Sequence, residues 1–156
     1  MRLYHGSTID IAKVDLALSK PNKDFGRAFY LSDDRQQALE MAQFRAEFEE
    51  TDPVVNIYEF DEALFQEFRY KRFEAYTEEW AHFVYDHRTE PHGRTLHNYD
   101  IVYGPIANDR VGVQIGKYEA GDITLDQFLE NLKYMKGVTF QYFFGTERAL
   151  AKLSKI

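Results

Sequence analysis

The sequence predicts an α+β fold, and three features of its 156 residues support this class. Short segments rich in β-branched and aromatic residues, which are typical of strands, mix irregularly with amphipathic segments, which are typical of helices. Aromatic residues make up 16% of the chain, a share that favours sheets packed with rings. Neither an internal repeat nor a linker interrupts the pattern. We therefore expect a single domain over residues 1–156.

The expected strands are short and are bounded by glycine, proline and polar residues. They cover Leu3–His5, Phe29–Leu31, Val54–Phe60, Phe68–Lys71, Tyr99–Tyr103 and Val138–Phe144. The expected helices begin at capping side chains. They run from Ser32 to about Glu50, from Asp61 to Phe68, from Thr77 to His87, from Thr124 to Leu132 and onward from Thr146. The segment Val111–Tyr118 stays ambiguous, because Gly112 and Gly116 weaken a helix.

The charge balance and the residue types exclude several functional classes. With 19 lysine and arginine residues against 26 aspartate and glutamate residues, the chain has a net charge of −7. It therefore lacks the overall excess of basic groups that binds nucleic-acid phosphates. The absence of cysteine excludes disulfides, thiolate nucleophiles and cysteine-ligated zinc. We also expect no bound metal, because the last four histidines are five residues apart and so do not share one helical face.

The distribution of apolar residues bears on location. No apolar run approaches the length of about 18 residues that a membrane-spanning helix needs. The N-terminal residues lack the apolar region of a secretory signal peptide. We therefore expect a cytoplasmic protein with no membrane partner.

Two stretches carry residue types that often bind ligands. The first is Tyr4–Ser7 and the second is Asp24–Ser32. Each places a ring residue, His5 or Tyr30, on an expected strand beside a glycine, which lets a backbone approach a ligand closely. Alone, each residue is more often explained as a surface histidine or a core tyrosine, because single motif matches are frequently false. Together they form a more specific pattern.

Three segments give the chain a resemblance to ADP-ribosyltransferases of the diphtheria-toxin and poly(ADP-ribose) polymerase lineage. They are Leu3–Ser7, Gly26–Ser32 and Thr139–Phe144. In that lineage a strand with His-Gly-Ser/Thr, a strand tyrosine after a glycine-rich entry and a late strand with a glutamate follow in this order. The chain is also similar to a bacterial family of unknown function with this fold. The shared stretches stand here at Asp24–Leu31, Tyr99–Ala107 and Gln141–Leu150.

The resemblance implies an ADP-ribosyltransferase-like split β-sheet that binds NAD in its cleft. By this analogy His5 would bond to the adenosine ribose, Gly6 would hold the nicotinamide amide and Ser7 would assist at the nicotinamide ribose. Tyr30 would stack on the nicotinamide ring, and Arg27 would contribute to the same NAD site. The reaction would break the nicotinamide–ribose bond and pass ADP-ribose to an acceptor.

Gln141 completes the implied catalytic set with His5 and Tyr30, but it departs from the lineage, which carries glutamate there. A carboxylate stabilises developing positive charge and accepts a hydroxyl proton, whereas an amide orients the hydroxyl without carrying charge. Elongation of an ADP-ribose chain is therefore not expected. Transfer of a single unit and a silent NAD-binding module both stay open. Gln141→Glu is expected to keep or raise NAD cleavage.

The favoured interpretation is a mono-ADP-ribosyltransferase, a member of the glycosyltransferase class. The resemblance and the small size of the chain make it a candidate toxin of a bacterial toxin–antitoxin pair, with an antitoxin protein as partner. The net charge favours a protein over a nucleic acid as the acceptor. A third alternative, an RNA-modifying 2′-phosphotransferase, lacks its usual extra basic residues here. The polar segment Arg88–Asn98, with Pro91 and Gly93, is expected to form a mobile loop at the cleft mouth.

Overall fold

The computed structural model describes all 156 residues and contains two β-sheets with helices packed against them. The strands are β1 (Arg2–Ser7), β2 (Phe29–Leu31), β3 (Val54–Glu59), β4 (Tyr70–Arg72), β5 (Ile101–Pro105), β6 (Phe140–Phe144) and β7 (Ser154–Lys155). The α-helices are α1 (Arg35–Glu49), α2 (Glu78–Thr89), α3 (Asp109–Glu119), α4 (Leu125–Lys133) and α5 (Glu147–Leu150), and short 3-10 helices cover Leu16–Leu18 and Glu62–Glu67. None of these helices combines the length and the apolar character that a membrane crossing requires. The predicted α+β class is confirmed.

The two sheets meet at a single bridge between β1 and the residue after β2. One sheet has the strand order β1-β3-β7, and the other has the order β2-β6-β5-β4. All paired strands are antiparallel except β4 and β5, which run parallel. At the bridge the Tyr4 amide donates to the Ser32 carbonyl at 2.7 Å, and the Ser32 amide donates to the Tyr4 carbonyl at 2.8 Å. Strand β1 therefore belongs to one sheet and touches the other.

Two apolar cores lie on opposite faces of the four-stranded sheet. One core fills the space between the sheets and contains Leu3, Phe29 and Phe144. The other core lies under α2, α3 and α4 and contains Trp80 and Phe143. Because side chains alternate along a strand, Phe143 and Phe144 enter different cores. Both faces of β6 are therefore covered, as its apolar sequence predicts.

Helix α1 packs on β1 through small residues. Its buried side chains, spaced one turn apart, are Ala38, Ala42 and Ala46. A Cβ on Gly6 of β1 would lie 2.8 Å from the Ala42 amide nitrogen and closer still to the Ala38 carbonyl oxygen. The glycine is therefore explained by the close approach of the helix backbone, which fills the space beside it.

Two elements differ from the sequence-based expectations. Helix α3 forms across the ambiguous segment, because the Asn108 side chain caps it at Val111 and because Val111 and Ile115 are buried in the helix-covered core. Their burial outweighs the cost of two helical glycines. The helix expected after Thr146 is only four residues long, and the chain then forms β7, which pairs with β3. A strand of two residues is too short to leave a recognisable pattern.

We predict that Gly6→Ala lowers the free energy of unfolding by about 2 kcal/mol or more, because the added methyl group overlaps the α1 backbone. Gly116→Ala is the matched control, since nothing lies within 4 Å of a Cβ at this helical position. Alanine there should raise stability by up to about 1 kcal/mol. Urea unfolding measures both changes. Equal stabilities of the two variants would contradict the packing of α1 on β1.

Candidate functional site

The predicted site residues stand on three strands near the bridge between the sheets. They are His5, Gly6 and Ser7 on β1, Tyr30 on β2 and Gln141 on β6, with Arg27 on the loop before β2. Strands β2 and β6 pair with Leu31 opposite Tyr142. Gln141 therefore lies one step beyond the end of β2, level with the bridge residue Ser32.

The His5 ring is neutral at pH 7 and has one open nitrogen. Its Nδ1 atom lies 2.6 Å from the Tyr30 carbonyl oxygen. Because a carbonyl only accepts hydrogen bonds, Nδ1 carries the hydrogen and Nε2 keeps its lone pair. Burial lowers the pKa of His5 to about 4, and the positive charge of Arg45 acts in the same direction. His5 therefore offers a hydrogen-bond acceptor at Nε2.

Strand alternation separates His5 from the other two catalytic candidates. The His5 ring packs on Phe29, at 4.3 Å between centroids, and Phe29 belongs to the core between the sheets. Tyr30 packs against the helix-covered core, as does Phe143. Gln141 shares the face of Phe143, because the two are separated by one residue on the same strand. The structure thus brings Tyr30 and Gln141 onto one face and places His5 on the other.

The Tyr30 hydroxyl closes the loop that precedes its strand. It donates to the Gly26 carbonyl at 2.6 Å and accepts from the Phe25 amide at 3.0 Å. The ring meets Phe143 edge-on, at 5.9 Å between centroids. Burial raises the pKa of the Tyr30 phenol. With its hydroxyl committed to the loop, Tyr30 retains only its ring for contact with a ligand.

A residue not predicted to lie in the site, Asp24, is hydrogen-bonded to Gln141. The Gln141 Nε2 atom lies 3.3 Å from Asp24 Oδ2, which also accepts from the Ala107 amide at 3.0 Å. The Arg88 guanidinium pairs with Asp24 Oδ1 at 2.7 Å and also donates to the Ala107 carbonyl. Asp24 is only 8% exposed, and a buried carboxylate requires such partners. It joins β6, α2 and the segment after β5.

A glycine in β5 makes room for this arrangement. Gly104 lies opposite Gln141 in the sheet. A Cβ on Gly104 would lie 3.0 Å from the Phe25 ring and 3.1 Å from Phe73. The Phe25 ring therefore packs directly on β5 at Gly104. This packing places the adjacent residue, Asp24, within hydrogen-bond distance of Gln141.

The polar segment after α2 holds the Asp24 loop, residues 23–27, in place. His97 Nε2 donates to the Phe25 carbonyl at 2.7 Å, and the Arg27 amide donates to Thr95 Oγ1 at 3.2 Å. Within the segment, the Glu90 carboxylate accepts two backbone amides at 2.8 and 2.6 Å. The sequence predicts a mobile loop here. In the structure the first two residues of the predicted loop belong to α2, and the remainder contacts the Asp24 loop through these hydrogen bonds; its mobility stays a prediction.

Three further predicted residues serve packing or loop contacts. Gly6 faces α1, and the buried Ser7 hydroxyl accepts a long hydrogen bond from the Ile9 amide at 3.4 Å. Arg27 is exposed and donates to the Ser19 carbonyl at 2.8 Å. None of the three is hydrogen-bonded to a catalytic candidate. Their roles in binding NAD stay predictions.

Positive charge accumulates beside these residues. Arg45 on α1 is half-buried, forms no ion pair and lies near enough to His5 and Lys23 to act on both. Partial burial lowers the pKa of Lys23, and the charges of Arg45 and Lys20 lower it further. In a chain with a net charge of −7, such a local excess suits an anionic ligand. The sequence pattern of α1 gave no signal for Arg45, because charged residues such as Glu40 and Glu47 recur along the helix.

Two surface cavities lie elsewhere in the molecule. Their volumes are about 610 and 330 Å³, and both are lined by Lys13, Val14 and Glu147. No catalytic candidate lines either cavity. The candidate site is therefore separate from both cavities and is defined by its side chains and its electrostatics.

The fold and site define an α+β domain in which a polar cluster lies where two sheets meet. Residues 1–154 match the family described as "Protein of unknown function (DUF3990)". The match covers nearly the whole chain, and the protein belongs to this family. Comparisons with curated proteins and with solved structures found no match.

We predict that stability falls as the pH drops from about 6.5 to about 4. In the folded protein burial lowers the pKa of His97 to about 4 from its ordinary 6.5, while the unfolded chain takes up the proton earlier. The stabilisation is therefore complete above pH 6.5 and is lost as the pH falls through 4. Protonated His97 would also face the Tyr99 amide, which donates to its Nδ1 at 3.0 Å. His5 adds to the effect in the same pH range.

Urea midpoints of wild type, His97→Gln and His92→Gln between pH 8 and pH 4 measure this effect. His97→Gln should show a shallower decline than wild type, because it removes one titrating group. His92 is exposed, so His92→Gln should follow the wild-type slope. Identical slopes in the two variants would contradict the assignment of His97 as a buried neutral histidine.

Proposed function

We propose that the protein is an NAD-dependent mono-ADP-ribosyltransferase. The observation that carries the proposal is the placement of His5, Tyr30 and Gln141 on three strands around the junction of the two sheets. This is the order and setting that the resemblance to ADP-ribosyltransferases implies. Apart from the Tyr4–Ser32 bridge, the one hydrogen bond between β1 and β2 is that of the His5 ring with the Tyr30 carbonyl. That junction is the proposed NAD cleft.

The electrostatics of the junction support a dinucleotide as ligand. NAD carries two phosphate charges in its pyrophosphate. Arg45 lies near both His5 and Lys23, and neither Arg45 nor Lys23 forms an ion pair. The open Nε2 of His5 accepts a hydrogen bond from a ribose hydroxyl. The pyrophosphate of NAD could therefore pair with Arg45 while a ribose hydroxyl donates to His5 Nε2.

The proposed reaction breaks the bond between nicotinamide and the ribose C1′. Nicotinamide leaves with the bonding electrons, C1′ acquires oxocarbenium character, and a nucleophile of the acceptor attacks C1′ and releases its proton. Tyr30 would hold the nicotinamide ring against its aromatic face. Gln141 would bind the ribose 2′-hydroxyl and orient it. Preorganised groups of this kind act mainly on the transition state.

A silent NAD-binding module is the second candidate function, and one observation favours it. The carboxylate nearest to Gln141 belongs to Asp24, whose charge is already paired with Arg88. A site without a free carboxylate binds a ribose but gives an oxocarbenium ion less stabilisation. A protein acceptor, a cytoplasmic location and a toxin–antitoxin partnership belong to the transferase proposal as well. They follow from the resemblance and the net charge.

Calorimetric titration with NAD tests the binding step. We predict that wild type binds NAD and that His5→Ala and Arg45→Ala each weaken binding by about tenfold, which corresponds to about 1.4 kcal/mol. The loss in Arg45→Ala should shrink at high salt, because the contact is a charge interaction. His92→Ala, an exposed histidine outside the site, is the control and should bind normally. Unchanged affinity in folded His5→Ala would remove His5 from the site.

Release of nicotinamide separates the two candidates. The transferase should release nicotinamide and transfer labelled ADP-ribose to an acceptor, and Gln141→Ala should lower that rate by roughly 10²-fold while NAD affinity changes little. Binding without release in wild type would instead support the silent module. Absence of binding would reject both.

A further inference from the structure

The Asp24 carboxylate fixes which end of the Gln141 amide faces outward. An ionised carboxylate only accepts hydrogen bonds, so the Gln141 group that lies 3.3 Å from Asp24 Oδ2 is the NH₂ group. The carbonyl oxygen Oε1 occupies the other end of the amide and accepts no hydrogen bond from the protein. Gln141 is half-buried rather than enclosed. Its free group is therefore an acceptor, not a donor.

We propose that Asp24 is a positioning residue for Gln141: its carboxylate orients and polarises the Gln141 amide, in place of a carboxylate on the strand itself. This inference rests on the proposed transferase function. Related enzymes are expected to carry the carboxylate on the late strand. Here the strand carries the Gln141 amide, and the carboxylate belongs to Asp24, which is hydrogen-bonded to that amide.

The contacts of Asp24 suit it to this role. Arg88 holds Oδ1 and the Ala107 amide holds Oδ2, so the carboxylate does not turn away from Gln141. A hydrogen bond to a charged acceptor polarises the donor group. The polarised amide places more negative charge on Gln141 Oε1. The hydrogen bond from a ribose hydroxyl to Oε1 is then stronger than the hydrogen bond to an amide without a charged partner.

The arrangement reverses the expectation for Gln141→Glu alone. A carboxylate at that position would face the Asp24 carboxylate across a hydrogen-bond distance, and two like charges so close do not both stay ionised without cost. The single substitution should therefore lower stability and activity. The exchange Asp24→Asn with Gln141→Glu keeps one carboxylate and one amide in contact. It should restore most of the activity and part of the stability, because the new NH₂ group at position 24 leaves the Ala107 amide without its acceptor.

The test compares wild type, Asp24→Asn, Gln141→Glu and the double exchange. In Asp24→Asn the new amide keeps its oxygen at Arg88, and its NH₂ group faces the Ala107 amide and Gln141, which must then turn its own NH₂ group outward. We expect nicotinamide release to fall by roughly 10²-fold while the Kd for NAD stays within a few fold. The double exchange should recover to within about tenfold of the wild-type rate. A merely structural Asp24 would give no such recovery.

Asp100→Asn is the matched control. Asp100 is 2% exposed and, like Asp24, accepts hydrogen bonds from a backbone amide and an arginine. It precedes β5 at the end opposite Gly104, and so lies away from Gln141. Asp100→Asn should lower the urea midpoint as Asp24→Asn does. Its rate of nicotinamide release per folded molecule should equal that of wild type.

Two readouts let the inference and the proposed function fail separately. Urea midpoints report the pairing without any ligand, and recovery of the midpoint in the double exchange supports it. If the midpoint recovers but none of the four proteins releases nicotinamide, the pairing of residues 24 and 141 is supported and the transferase proposal is rejected. Release by wild type without recovery of rate in the double exchange overturns the positioning role alone. Additive losses of midpoint overturn the pairing itself.

Discussion

The contact between the Asp24 carboxylate and the Arg88 guanidinium is the interaction on which the candidate site depends. A carboxylate that is almost fully buried is stable only when each oxygen has a partner, and Asp24 finds its partners on α2, on β6 and after β5. Those contacts fix the Asp24 loop against the four-stranded sheet. The Tyr30 hydroxyl and the His97 ring then hold the same loop through its backbone. Without the ion pair, the Gln141 amide loses the charged acceptor that fixes its orientation, while Tyr30 and His97 still hold the loop.

The junction of the two sheets is the second constraint. A single bridge at Tyr4 and Ser32 connects them, and the His5 ring is the next contact beyond it. His5 faces the core between the sheets, whereas Tyr30 and Gln141 face the helix-covered side. A ligand that uses all three must therefore cross the junction. An elongated molecule with a sugar at each end and a charged middle fits this requirement, which is why the proposal names a dinucleotide.

The sequence predicts the features of this protein that depend on neighbouring residues. The α+β class, strand β2 and the capping box at Thr124 are confirmed, because each arises from a local pattern. The pairing of Asp24 with Gln141 was missed, since 117 residues separate them and only the sheet order brings them together. The contacts of the polar segment after α2 with the Asp24 loop were missed as well, since they join residues 68 and 72 positions apart. A glycine on a strand can make room for a ligand or for another part of the protein. At Gly6 the structure shows the backbone of α1 in that space.

A crystal structure of the protein soaked with NAD would show whether the sheet junction is the NAD site. We predict nicotinamide beside the Tyr30 ring, a ribose hydroxyl within hydrogen-bond distance of Gln141 Oε1, and the pyrophosphate close to Arg45. We also predict that the Gln141 NH₂ group still faces Asp24. NAD bound instead in the cavity lined by Lys13 and Glu147, with the sheet junction empty, would contradict this assignment.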